Sequence, residues 1–123
     1  MKTLRMGIAG YDDFKKRTMA IAQGKLKPHA NDPKVWFTSI ESVAKVLSDR
    51  NRALLAVIAE TEPNSVHELA EKTGRAPSNL SRTLRTMERY GLVRMEKGAG
   101  RAQAPRVLYT DVVVDLPLRT KAA

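Results

Sequence analysis

In the stretch GRAPSNLSRTLRTMERYGLV, residues 74–93, arginines recur at 82, 85 and 89 among Ser78, Asn79, Ser81 and Thr86. Every one of these side chains carries a hydrogen-bond donor. A guanidinium grips guanine O6 and N7 with two bonds or clamps a phosphate, and a carboxamide pairs with adenine. Hydroxyls at the start of a helix sit beside free N–H groups and a positive dipole, both suited to phosphate. The chemistry on offer is recognition of a polyanion, not bond breaking.

Spacing decides whether these donors act together. At 100° per residue, Leu84 and Met87 fall about 40° and 20° to either side of Leu80. Ser78, Arg82, Arg85 and Arg89 fall between about 140° and 200°, opposite that apolar seam. Glu88 is the only acidic neighbour, whereas a merely solvated face mixes signs at i,i+4. The spacing therefore predicts base or near-base contact from Ser78, Asn79, Arg82 and Arg85, flanked by Ser81, with Thr86 and Arg89 on phosphates. A second basic group, Arg94, Lys97, Arg101 and Arg106, follows on a β-prone stretch, with Arg101 nearest a turn. Such side chains reach a minor groove or the backbone beside it. Edge-strand protection by charge is the alternative reading.

Catalytic constellations are missing. His29 and His67 have neither a carboxylate partner set nor metal-ligand spacing, so no metal and no cofactor is expected. Zero cysteines exclude thiolate zinc sites, a cysteine nucleophile and a disulfide framework. Asp12–Asp13 and Glu60–Glu62 read as a helix cap and a solvated helix end. Asp111 and Asp115 lie on one strand face, too far apart to share a proton. GAGR at 98–101 lacks the length, lysine and strand-to-helix setting of a phosphate-binding loop. The chain is not expected to be an enzyme.

Composition agrees. A net charge of +9 and a pI near 10.2 point to a polyanionic partner, and 42% hydrophobic residues support a packed core. The charge is uneven: +5 over residues 1–34, −3 over 35–71 and +7 over 72–106. An acidic scaffold thus carries a basic segment. Few aromatics argue against an RNA surface built on base stacking. The longest apolar run, Ala53 to Ala59, cannot span a bilayer, and two aspartates interrupt the N-terminal stretch before a signal sequence can form. A cytoplasmic, membrane-free protein is expected.

The elements that must hold these residues are legible in outline. Leu4, Met6 and Ile8 alternate with Thr3, Arg5 and Gly7, as in a strand. A helix capped by Asp12 or Asp13 runs to Gln23 and stops at Gly24. KLKPHANDPK, residues 25–34, reads as a linker, and VWF at 35–37 as a short strand. TSIE places an N-cap at Thr38 with Glu41 reaching back. A helix from Asp49 or Arg50 carries ALLAVIA and is apolar enough to lie centrally, until Pro63 and Asn64 break it. SVHE starts a short helix at Ser65, which Gly74 ends. Pro77 opens the arginine helix, which runs to about Tyr90 and ends at Gly91. LVRMEK (92–97) and PRVLYTDVVVDL (105–116) then flank a glycine loop as a hairpin, followed by a frayed tail. The expected fold is mainly α with a small β-hairpin wing (α+β): a winged helix-turn-helix with an N-terminal strand–helix extension. Residues 1–34 form the extension and linker, for dimerisation or partner binding; residues 35–123 form the DNA-binding domain.

The stretch SVHELAEKTGRAPSNLSRTLRTMERYGLV resembles the helix-turn-helix of bacterial and archaeal winged-helix regulators of the MarR/ArsR type, over roughly residues 36–110. With WFTSIESVAKVLSDRNRALLAVI ahead of it, the sequence looks like a small family of DNA-binding regulators that includes TumA-type antitoxins. The resemblance implies a cytosolic homodimeric repressor of double-stranded promoter DNA, acting on its own promoter, with a cognate toxin as protein partner. A stand-alone repressor without a toxin is the alternative. Carried across by position, Ser65 to Thr73 brace the reader, Pro77 to Tyr90 form it and Arg94 to Arg106 form the wing. Full MarR proteins have dimerisation helices at both ends, and nothing helical is expected after the wing here. A MarR-like ligand pocket is therefore not expected. Dimerisation falls to residues 1–37, to the helix from Asp49 or to the Val112–Leu116 strand, with the first favoured.

Overall fold

A computed structural model describes residues 2–98 and 100–118. In chain order its elements are β1 (Thr3–Ile8), α1 (Tyr11–Ala22), β2 (Val35–Phe37), α2 (Ile40–Val46), α3 (Asp49–Thr61), α4 (Val66–Thr73), α5 (Pro77–Arg89), β3 (Val93–Lys97), β4 (Gln103–Val107) and β5 (Asp111–Asp115). The fold is α+β. It divides into two compact units: a helical unit built on Lys45–Thr110, and a sheet unit built on Thr3–Ala44 together with β5. That division crosses the boundary read at residue 34. The frayed tail expected beyond residue 118 lies outside the described residues.

The sheet unit holds three parallel strands in the order β2-β1-β5. Alternation in β1 buries Leu4 and Met6, the period-2 pattern of a strand packed on one face. β1 pairs with β2 from Met6↔Val35 to Ile8↔Phe37 and with β5 from Thr3↔Asp111 to Gly7↔Asp115. The Arg5 guanidinium donates to Asp115 Oδ1 at 3.3 Å. Residues 105–116 are thus two strands and not one arm of a hairpin, because the second half completes the β1 sheet. Gly10 stands at the N-cap of α1 and offers no side-chain cap; Asp12 and Asp13 lie inside the first turn, where they complement the helix dipole instead. α1 ends at Ala22 with Gly24 at φ 75°.

The helix starts beyond residue 38 follow capping chemistry, with one change. Ser39, not Thr38, caps α2: its Oγ accepts from the Ser42 N–H at 3.1 Å. Ser48 caps α3 through the Asn51 N–H, and Glu62 ends it in the left-handed region at φ 43° before the buried Pro63. α3 is not central all round: Leu54 and Ile58 are buried while Ala53, Ala56 and Ala59 face solvent. Ser65 Oγ accepts from the Glu68 N–H at 2.9 Å, and the Glu68 carboxylate accepts in return from the Asn64 N–H at 2.5 Å. Gly74 closes α4 at φ 72°.

α4 packs on α5, α5 on β3, and both α3 and α4 on β4. Leu54, Ile58, Leu69, Leu80, Leu84, Met87, Leu92 and Val93 are among the buried residues of this core. Burying each side chain of this size contributes about 1.5–3 kcal/mol, which fixes α5 in rotation about its own axis. β3 and β4 pair antiparallel from Val93↔Val107 to Lys97↔Gln103.

Candidate nucleic-acid interface

α5 presents two unlike faces because its apolar residues recur at i, i+4 and i+7. Leu80, Leu84 and Met87 are at most 1% exposed. Ser78, Asn79, Ser81, Arg82, Arg85 and Arg89 are exposed, and Thr86 is half-buried with its hydroxyl donating to the Arg82 carbonyl at 3.3 Å. Among the described residues no carboxylate lies within ion-pair reach of Arg82, Arg85 or Arg89. Three guanidinium groups therefore stand in solvent without an internal counter-charge. The helix start adds to this: Pro77 occupies the first turn, Ala76 supplies no capping side chain, and no acidic residue lies in that turn. Its free N–H groups form an electropositive end suited to an anion.

One residue of this site was not picked out from the sequence. Arg75, just before α5, donates from Nη2 to Asn79 Oδ1 at 2.9 Å and lies 3.5 Å from Thr83 Oγ1. Its Nε and Nη1 are buried without a protein partner among the described residues. Burial first, and then the like charge of Arg50, push the Arg75 guanidinium below its ordinary pKa. Asn79 is thus already held by one lone pair, and an adenine contact from it must use the other. The i,i+4 spacing of Arg75 and Asn79 across the helix start was the available signal.

The hairpin divides its cations. Lys97 and Arg101 are exposed and have no ion-pair partner among the described residues. Arg94 is exposed but tied to Glu96 Oε1 at 2.6 Å. Arg106 belongs to the unit's interior contacts: Nη1 donates to the Pro63 and Pro105 carbonyls at 2.7 and 2.8 Å, and Nε lies 3.7 Å from Glu62 and 3.9 Å from Glu96. Its expected place among the free wing cations is corrected accordingly. It braces the hairpin on the α3–α4 connection. Gly98 supports the same seam: its N–H donates to the Ala102 carbonyl at 2.8 Å, and a Cβ there would overlap the Asn64 carbonyl oxygen.

His67 pairs with Glu71 at 3.0 Å on an exposed helix turn. No cluster of metal-ligating side chains occurs among the described residues, and none of their helices is long and apolar enough to cross a membrane.

The family model HVO_A0114 matches residues 46–114, more than half of the chain. The chain belongs to the HVO_A0114 family. None of the curated proteins matches it. The matched span of HVO_A0114 takes in α3 to β4 and most of β5, and with them every exposed donor described above as well as Arg75 and Arg106. β1, α1 and β2 lie outside it.

Proposed function

We propose that this chain is a sequence-specific regulator of transcription that binds double-stranded DNA through α5 and the β3–β4 hairpin, as a winged helix-turn-helix. The observation that carries the reading is the row of unpaired guanidinium groups at Arg82, Arg85 and Arg89, opposite a seam whose burial fixes the row's direction. An α-helix fits the major groove in width, with residues near its N-terminus closest to the bases. Ser78, Asn79, Arg82 and Arg85 serve there, while Ser81, Thr86, Arg89, Lys97 and Arg101 serve the backbone. Arg94 joins them by exchanging Glu96 for a phosphate. The reading is of a binder and not an enzyme.

The protein acts as a homodimer in the cytoplasm, and as an antitoxin it represses its own promoter and neutralises a cognate toxin. The partner contacts fall to the sheet unit. All exposed large apolar side chains among the described residues belong to it, including Tyr11 at 74%, Met19 at 51% and Leu116 at 50%. Exposed apolar groups concentrated in this way mark protein interaction surfaces.

Electrophoretic shift with the chain's own upstream DNA tests the reading. Arg82→Ala and Arg85→Ala should each cost about 1–3 kcal/mol at the specific site and relax base choice there. Unchanged affinity and unchanged preference in both variants would reject α5 as the reader.

A further inference from the structure

The sheet unit contains a cavity of about 460 Å³, a size suited to a small molecule. Trp36 forms its fixed wall. Gly7 and Trp36 face each other across β1 and β2, and a Cβ on Gly7 would come within 2.5–2.9 Å of three indole ring atoms. The indole therefore occupies the space that Gly7, the one glycine of β1, leaves open, as aromatic side chains cover glycine in sheets. The Arg17 guanidinium sits 5.3 Å from the indole ring centroid, and the Phe14 ring is 5.8 Å from it at 53°. Arg17 is held in turn by Asp32 Oδ2 at 3.0 Å, and the Asp32 carboxylate also accepts the His29 N–H at 2.6 Å. Trp36, Arg17 and Asp32 are thus held by protein contacts before anything enters.

The charge and the walls of this cavity define what suits it. Arg17 and Asp32 cancel, which leaves Lys34 as the uncompensated charge on the lining. Its remaining walls are mainly aromatic and aliphatic. The rings of Phe14 and Trp36 and the planar cation of Arg17 line the cavity together, a set of groups that favours a flat aromatic partner. We infer that this cavity binds a flat aromatic ring system carrying one anionic group, the ring beside Arg17, Phe14 and Trp36 and the anion at Lys34. Two sources share that chemistry: an aromatic carboxylate and a nucleoside monophosphate. The inference is independent of the nucleic-acid reading, since none of these residues lies in α5 or the hairpin.

Trp36 is the sole tryptophan of the chain, so its emission reports occupancy directly. The full chain is titrated with 2-naphthoate, with adenosine 5′-monophosphate and with uncharged 2-naphthalenemethanol, each also followed by calorimetry. Saturable quenching by 2-naphthoate or by the nucleotide is expected, and whichever binds tighter identifies the source. Lys34→Ala should weaken the anionic probe about threefold or more and leave the neutral one unchanged, while Arg101→Ala on the hairpin should leave both as in the parent. Lys34 is exposed, so its replacement spares the fold. No saturable response to either anion, or equal binding of the naphthalene probes with and without charge, would overturn the inference. So would an unchanged affinity in Lys34→Ala.

Discussion

Replacing Arg101 by alanine offers a measurement whose size follows from counting free cations. Arg82, Arg85, Arg89, Lys97 and Arg101 are exposed and have no ion-pair partner among the described residues; with Arg82 and Arg85 given to bases and Arg94 exchanging Glu96 for a phosphate, four cations serve phosphates. Each phosphate neutralised contributes about −0.9 to the slope of log K against log salt, so one chain should show a slope near −3.6 and a dimer near −7.2. Arg101→Ala removes two contacts from a dimer and should flatten the slope by about 1.8. Between 50 and 200 mM salt the penalty of the substitution should therefore shrink about twelvefold, on specific and random duplexes alike. Arg85→Ala should behave differently, losing discrimination between sequences more than salt dependence. Fluorescence anisotropy across a salt series with both variants separates the two. An Arg101→Ala slope equal to the parent's would refute the assignment of the hairpin tip to a phosphate, whatever its affinity at one salt concentration.

Gly98→Ala should destabilise the helical unit by about 1–3 kcal/mol, the range for forcing atoms into filled space, because the added methyl meets the Asn64 backbone and not a movable side chain; urea unfolding measures it. In the sheet unit, acceptance of the His29 N–H and then contact with Arg17 hold the Asp32 carboxyl below its usual range, although partial burial opposes them. A lowered folded-state pKa means stabilisation that is present at neutral pH and is lost as pH falls through and below the ordinary carboxylate value of about 4. Trp36 emission should accordingly change in acid in the parent, and Asp32→Asn should show the altered emission already at neutral pH. Coincident titrations of the two proteins would refute that link.

How much of this was legible depends on the range of the interaction involved. Capping at Ser65, closure at Gly74 and the start at Pro77 are decided within four residues, and so is the two-faced character of α5, which needs only the spacing of Leu80, Leu84 and Met87. β5 was not legible. Val112 to Val114 read as β-prone, but their partner is β1, more than 100 positions earlier, and a parallel pairing leaves no turn signal between its strands. The whole helical unit intervenes in the sequence. Likewise Gly7 reads as an ordinary alternating position until the indole of Trp36 is seen resting on it.

The arginines show the remaining difficulty most clearly, since residue type and spacing treat them alike. What separates them is whether the fold brings an acceptor within reach of a long side chain. Arg106 meets the Pro63 carbonyl, just past the point where α3 ends in a left-handed Glu62. Arg75 meets Asn79 because the chain bends into α5 at Ala76. Arg82, Arg85 and Arg89 have no side-chain partner among the described residues, because the burial of Leu80, Leu84 and Met87 turns them to the opposite face of α5. An unpaired guanidinium is inexpensive in water and gains most where an anion is brought to it. The same packing that leaves these three without partners inside the protein is therefore what equips them for a partner outside it.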